Sequence, residues 1–96
     1  MKMAMITYNE AIEPEVMEAL ENSSLKNYTK ITATYGKGET SGTHLGDDIW
    51  PGRNNVLFVA GGEAEVRQLL SYIKELRKTL GKEGIKAFVL PVEEVT

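Results

Sequence analysis

Ninety-six residues suffice for one domain with a thin core, a size at which self-association is a natural way to bury more surface. With no cysteine, disulfides, thiolate metal sites and cysteine nucleophiles are excluded, and a net charge of -3 argues against a nucleic-acid binder, which needs a basic face. The hydrophobic and charged fractions, 42% and 26%, are those of an ordinary soluble chain, and no segment approaches the ~20 apolar residues of a membrane span. The start, MKMAMITYNE, carries too short an apolar run for a signal peptide, so the expectation is a cytoplasmic protein without membrane insertion.

Lys2 to Tyr8 (KMAMITY) is short and apolar and reads as a strand. Asn9 and Glu10 break the run. Glu13-Pro14-Glu15 then suits a helix start, because proline tolerates the first turn and acidic groups favour the positive end of the helix dipole. Ile12, Val16, Met17 and Leu20 repeat at helical spacing, and ENSS ends that helix. Tyr28 to Gly36 (YTKITATYG) alternates and is rich in β-branched and aromatic residues, which predicts a second strand.

A polar stretch follows, YGKGETSGTHLGDDIWPGRNN, too long for a tight hairpin. It holds the chain's single histidine and single tryptophan. Asn55 to Gly61 (NVLFVAG) is a continuous apolar run that fits a central strand. Glu63 and Glu65 open a second helix whose stripe is Val66, Leu69, Leu70, Ile73, Leu76 and Leu80, with basic residues in its last turn and Gly81 suited to its cap. IKAFVLPVEE supplies the last strand, which Pro91 helps to terminate.

The order strand, helix, strand, loop, strand, helix, strand predicts an α+β, ferredoxin-like β-α-β-β-α-β sandwich: a four-stranded antiparallel sheet with two helices on one face, spanning residues 1–96 as a single domain. Two helices cover one side of such a sheet. On the first strand Met3, Met5 and Thr7 oppose Ala4, Ile6 and Tyr8, so both sides want shelter, and self-association is the economical answer.

Fold alone does not give function. NVLFVAGG does not match the basic-aromatic strand of RNA-recognition modules, and no Ser/His/Asp order, H-E-x-x-H motif or arginine-rich hydrolase loop is visible, so no enzyme is read. Two glycine-bearing loops remain, both expected toward the same edge region of the sheet. Gly36, Lys37 and Gly38 lie in the first; Gly81, Lys82, Gly84 and Lys86 lie in or beside the second. Glycine lets backbone N–H groups approach an anion and lysine adds a compact positive charge suited to phosphate. Equally, Gly81 and Gly84 serve as cap and turn, with the lysines as solubilising charge.

Within the long loop, His44, Asp47 and Asp48 lie close enough to share zinc, nickel, cobalt or manganese, though a lone histidine is thin ligand supply and the Asp pair also suits a turn. Ile49 and Trp50 are apolar side chains that either pack back on a neighbouring subunit or form a hot spot for a partner; Pro51 and Gly52 favour a sharp return of the chain.

Nearly end to end the sequence resembles the nitrogen-regulatory PII family of signalling proteins. The residues responsible are MKMAMIT followed by EPEVMEAL, YGKG leaving the second strand, and GIKAFVLPVEE at the carboxyl end. The resemblance implies a homotrimer with its sheets facing the threefold axis and an adenine nucleotide (ATP, ADP or AMP) as effector in the clefts between subunits. It implies that residues 37–53 correspond to the family's T-loop, which docks on a regulated transporter or enzyme, and residues 80–86 to its B-loop. By position Gly36 and Gly38 match the glycines at the T-loop base and Lys86 the phosphate-contacting lysine, while Lys82 and Gly84 fall in a shorter B-loop. The 37–53 segment is shorter than a standard T-loop, lacks the tyrosine that many bacterial members nucleotidylate, and has no obvious counterpart of the glutamine that helps bind 2-oxoglutarate with magnesium. It reads as a divergent branch. The competing reading is a metal-responsive PII-like or CutA-like binding protein using His44 with Asp47 and Asp48, although CutA members lack this long loop.

Overall fold

The computed structural model describes residues 1–36, 53–80 and 83–96. The elements run β1 (Lys2–Asn9), a short 3-10 turn (Glu10–Ile12), α1 (Glu13–Asn22), β2 (Thr29–Tyr35), β3 (Arg53–Gly61), α2 (Glu63–Leu80) and β4 (Ile85–Pro91). The strand order is β2-β3-β1-β4 and every neighbouring pair is antiparallel. This is the expected ferredoxin-like α+β sandwich. Differences from the sequence reading are local: β3 begins at Arg53 rather than Asn55, and a 3-10 turn joins β1 to α1.

The local causes are plain. Asn9 ends β1 by turning its side chain onto the next segment, where Oδ1 accepts the Ala11 N–H at 2.8 Å. Pro14 sits in the first turn of α1, with Glu13 and Glu15 at its positive end. Ser23 closes α1, its N–H and Oγ both donating to the Leu20 carbonyl. Gly62 opens α2 by donating its N–H to Glu65 Oε1 at 3.0 Å, half of a capping box. None of the described helices is long and apolar enough to cross a membrane.

Alternation along the strands divides the sheet into two faces. Ala4, Ile6, Tyr8, Leu57, Val59 and Ile85 point into the helix layer, where Val16, Ala19 and Leu20 of α1 and Val66, Leu69 and Ile73 of α2 complete the core. Of the predicted α2 stripe Val66, Leu69 and Ile73 are buried and Leu76 and Leu80 pack against the core, whereas Leu70 is half-buried and stands outside it. Ala19 and Leu25 join a core that periodicity did not assign to them.

Among the described residues the other face carries no helix. Residues opposite one another across a ladder share a face. The register therefore defines two rows running across the sheet, Thr29–Phe58–Met5–Phe88 and Ile31–Val56–Thr7–Lys86, and a shorter one, Ala60–Met3–Leu90. Phe88, Leu90 and Ile31 are 46%, 43% and 48% exposed in the isolated chain. That is a continuous apolar surface of the kind that monomers rarely leave wet.

Candidate functional site

Both predicted loops leave the sheet at one end. Asn54 pairs with Thr34 of β2 and with Asn9 of β1, and the Asn9 N–H donates to the Gly84 carbonyl at 3.0 Å. Gly36 and Gly84 therefore mark the two sides of a single polar rim, Thr34–Asn54–Asn9–Gly84. They do not lie at the same edge, as the sequence reading expected. β2 and β4 are opposite edge strands, so three interstrand spacings, about 14 Å, separate them within one chain. The antiparallel order forces this, because β3 and β1 fill the middle.

Each described candidate has its own surroundings. Gly36 is exposed where the chain leaves β2, and a Cβ there would stand 2.9 Å from Asn54 Nδ2, closer than side-chain atoms normally come. Gly84 adopts φ +86°, the left-handed region, with open space where a side chain would begin. Its turn role is thereby explained, and its backbone remains approachable from solvent. Lys86 is exposed on the helix-free face, opposite Thr7. Lys37, Gly38, Lys82, His44, Asp47, Asp48, Ile49 and Trp50 lie outside the described residues. Among the described residues no group of three or more His, Asp or Glu side chains could hold a metal ion.

Sequence reasoning missed a polar cluster on the helix-covered face at the same end of the sheet. The Glu13 carboxylate, at the start of α1, accepts hydrogen bonds from the Tyr8 hydroxyl, from Lys30 Nζ and from Asn55 Nδ2, the last at 3.1 Å. Lys30 also lies 5.5 Å from the centroid of the Tyr28 ring. Burial disfavours the Glu13 charge, but the bonds from Lys30, Tyr8 and Asn55 and the Lys30 charge outweigh it and hold the carboxyl below its ordinary 4.5. Burial first, then the bond to Glu13 and its charge, push the Tyr8 hydroxyl well above its ordinary 10.0. Tyr8 and Asn55 are buried and Glu13 and Lys30 half-buried, so one carboxylate ties α1 to β1, β2 and β3. The available signal was the alternation of β1 and β3, which turns Tyr8 and Asn55 inward among apolar neighbours, where a polar group needs a partner.

Over residues 1–96 the chain matches the family model described as nitrogen regulatory protein P-II. The chain belongs to that family. PII proteins are regulators rather than enzymes, and the ferredoxin-like fold here is the PII signalling fold. No match was found among the curated proteins compared. Among solved structures, CPII from Thiomonas intermedia K12, described as a nitrogen regulatory PII-like protein bound to ADP, AMP and bicarbonate, superposes with a TM-score of 0.71 at 19% identity. The match covers 93% of this chain and 86% of that one. CPII bound to ADP and bicarbonate gives 0.70 at 22% identity, over 93% and 82% of the two chains. A PII-like signalling protein from Thermus thermophilus gives 0.61 at 20%, again over 93% and 82%. At these identities the likeness is one of PII fold.

Proposed function

We propose that this PII-family chain is a trimeric regulatory protein that binds an adenine nucleotide between subunits and signals to a partner through residues 37–53. The observation that carries the reading is the opposition of the two loop bases across the sheet. Gly36 stands on the β2 edge and Gly84 and Lys86 on the β4 edge, too far apart in one chain to share a small anion. A ring of three chains, with the apolar sheet faces turned to a common axis, sets the β2 edge of each beside the β4 edge of the next. Gly36 then faces the neighbour's Gly84 and Lys86, and the exposed surface of Phe88, Leu90 and Ile31 is sheltered.

The chemistry of that seam suits a phosphorylated ligand. Lys86 supplies an ammonium, and the glycines leave room for backbone N–H groups to approach oxygen atoms. The nucleotides and bicarbonate named with CPII support testing ADP, AMP, ATP and bicarbonate here. Binding changes which conformations of residues 37–53 are populated, and that segment carries the signal to a transporter or enzyme in the cytoplasm. Nitrogen regulation is the pathway that the family's description supports.

Calorimetry with ATP, ADP, AMP and bicarbonate, on protein whose mass is fixed by sedimentation, tests the reading. A trimer that binds at least one nucleotide, with affinity weakened at least tenfold in Lys86→Ala, is the expected result. A well-folded trimer that binds none of the three nucleotides, or a Lys86→Ala variant with unchanged affinity, overturns it.

A further inference from the structure

We propose that the bulge at Thr32–Ala33 is a hinge in the edge strand, and that Glu13, gripping Lys30 and Asn55, is the stop that confines its movement to the loop-bearing end of the sheet. The inference goes beyond the functional reading and is independent of which small molecule binds.

The β2–β3 ladder is in two pieces. Thr29, Lys30 and Ile31 pair with Phe58, Leu57 and Val56; the register then shifts, and Thr34 and Tyr35 pair with Asn54 and Arg53. Thr32 and Ala33 together face Asn55 alone, one residue too many. Ala33 takes φ +57° and is the only non-glycine residue with positive φ among those described. A β-carbon is poorly tolerated in that region, so the site is intrinsically strained.

What holds the two pieces differs. In the isolated chain β2 is largely bare, with only Lys30 and Thr34 half-buried among its seven residues. Beyond the bulge, among the described residues, two ladder pairs and one side-chain bond, Thr34 Oγ1 to the Asn54 carbonyl at 2.7 Å, hold Thr34 and Tyr35 to β3, whose Asn54 is itself paired with Asn9 of β1. The end of an edge strand held by so few pairs is at the low end of local stability. Before the bulge, Lys30 is fastened to Glu13, and Glu13 is fastened in turn to buried Tyr8 and to Asn55, the residue directly opposite the bulge. The clamp therefore closes on both strands at the point where the ladder breaks.

The stub Thr34–Tyr35 bears Gly36 and one of the two covalent connections to residues 37–52, the other leaving from Arg53 of the central strand β3. Displacement of the stub leaves the row Ile31–Val56–Thr7–Lys86 in place, because that row lies on the clamped side. Loop position and the Lys86 surface are in this way mechanically separated within one chain.

Residue-resolved amide hydrogen exchange on the full chain tests the hinge and the stop together. In Lys30→Met, and separately in Glu13→Gln, the protected amides of residues 29–31 and 55–57 exchange roughly tenfold faster, as expected for loss of one charge-assisted bond, while those of β1 and β4 accelerate less, by no more than the loss of global stability. Ala33→Gly leaves residues 29–31 unchanged and alters exchange only at residues 34–36 and 53–54. Equal acceleration through all four strands in Lys30→Met, or no change at residues 29–31, overturns the stop. A change in Ala33→Gly that spreads to residues 29–31 overturns the hinge. Lys30 and Ala33 lie outside the apolar core, so these two variants keep the test open if Glu13→Gln fails to fold.

Discussion

Asn54 stands over Gly36: its amide nitrogen is 2.9 Å from the point that a β-carbon at residue 36 would occupy. The glycine at the root of the loop is thus explained by a neighbour on β3, independently of any ligand. Gly36→Ala is expected to displace the Asn54 side chain and destabilise the protein by about 1 kcal/mol, the low end of the cost of overpacking. In Asn54→Ala the same Gly36 substitution should cost little, so a double-mutant cycle by urea denaturation should return a non-zero coupling.

A second close approach lies at the opposite end of β3. A β-carbon at Gly61 would meet Leu25 Cδ2 at 2.4 Å, and both residues are buried. Gly61→Ala should lower the urea midpoint by an amount equivalent to about 1–3 kcal/mol, and the same substitution should cost less when it is made in a Leu25→Ala background, although Leu25→Ala is itself destabilising. Equal effects with and without Leu25 would show that backbone freedom, not contact, fixes glycine there.

The Glu13 cluster sets a pH dependence whose sign follows from its direction of shift. Glu13 is held below its ordinary value, so its contribution is complete above pH 4.5 and is lost as pH falls through the lower folded-state value. Tyr8 is raised, so its contribution is present below pH 10.0 and fades as pH rises beyond that. At pH 7 Glu13→Gln should cost roughly 1 kcal/mol, modest because water still reaches the Glu13–Lys30 pair. The wild-type and variant stabilities should converge as denaturation is repeated toward pH 2.5.

The helix-free face makes a separate prediction about assembly. Phe88 adjoins Met5, and Met5 adjoins Phe58, in one cross-strand row. Phe88→Glu places a charge on that surface without entering the helix-covered core. Sedimentation equilibrium should show the wild type as a trimer and Phe88→Glu as a monomer, since each copy forfeits about 2–3 kcal/mol of aromatic burial and must also desolvate a carboxylate. A variant that remains trimeric would place the interface elsewhere.

Local chemistry alone determined the element list. β-branched runs, the Pro14 start and the Val66–Leu69–Ile73 stripe act over a few residues, and all but the 3-10 turn and the strand margins were legible. The two-sided apolarity of β1 was equally readable, because alternation is a property of the strand itself. What only the tertiary structure decided was adjacency. Strand order put Gly36 and Gly84 on opposite edges although both loops leave one end, and register brought Tyr8, Glu13, Lys30 and Asn55 to one carboxylate from four separate elements. The bulge at Ala33 belongs to the same class, for it exists only as a mismatch between two paired strands. Contacts between residues 17 to 42 positions apart, such as Lys30 and Asn55 with Glu13, have no periodic trace in a sequence; they are set by how the sheet closes against its helices.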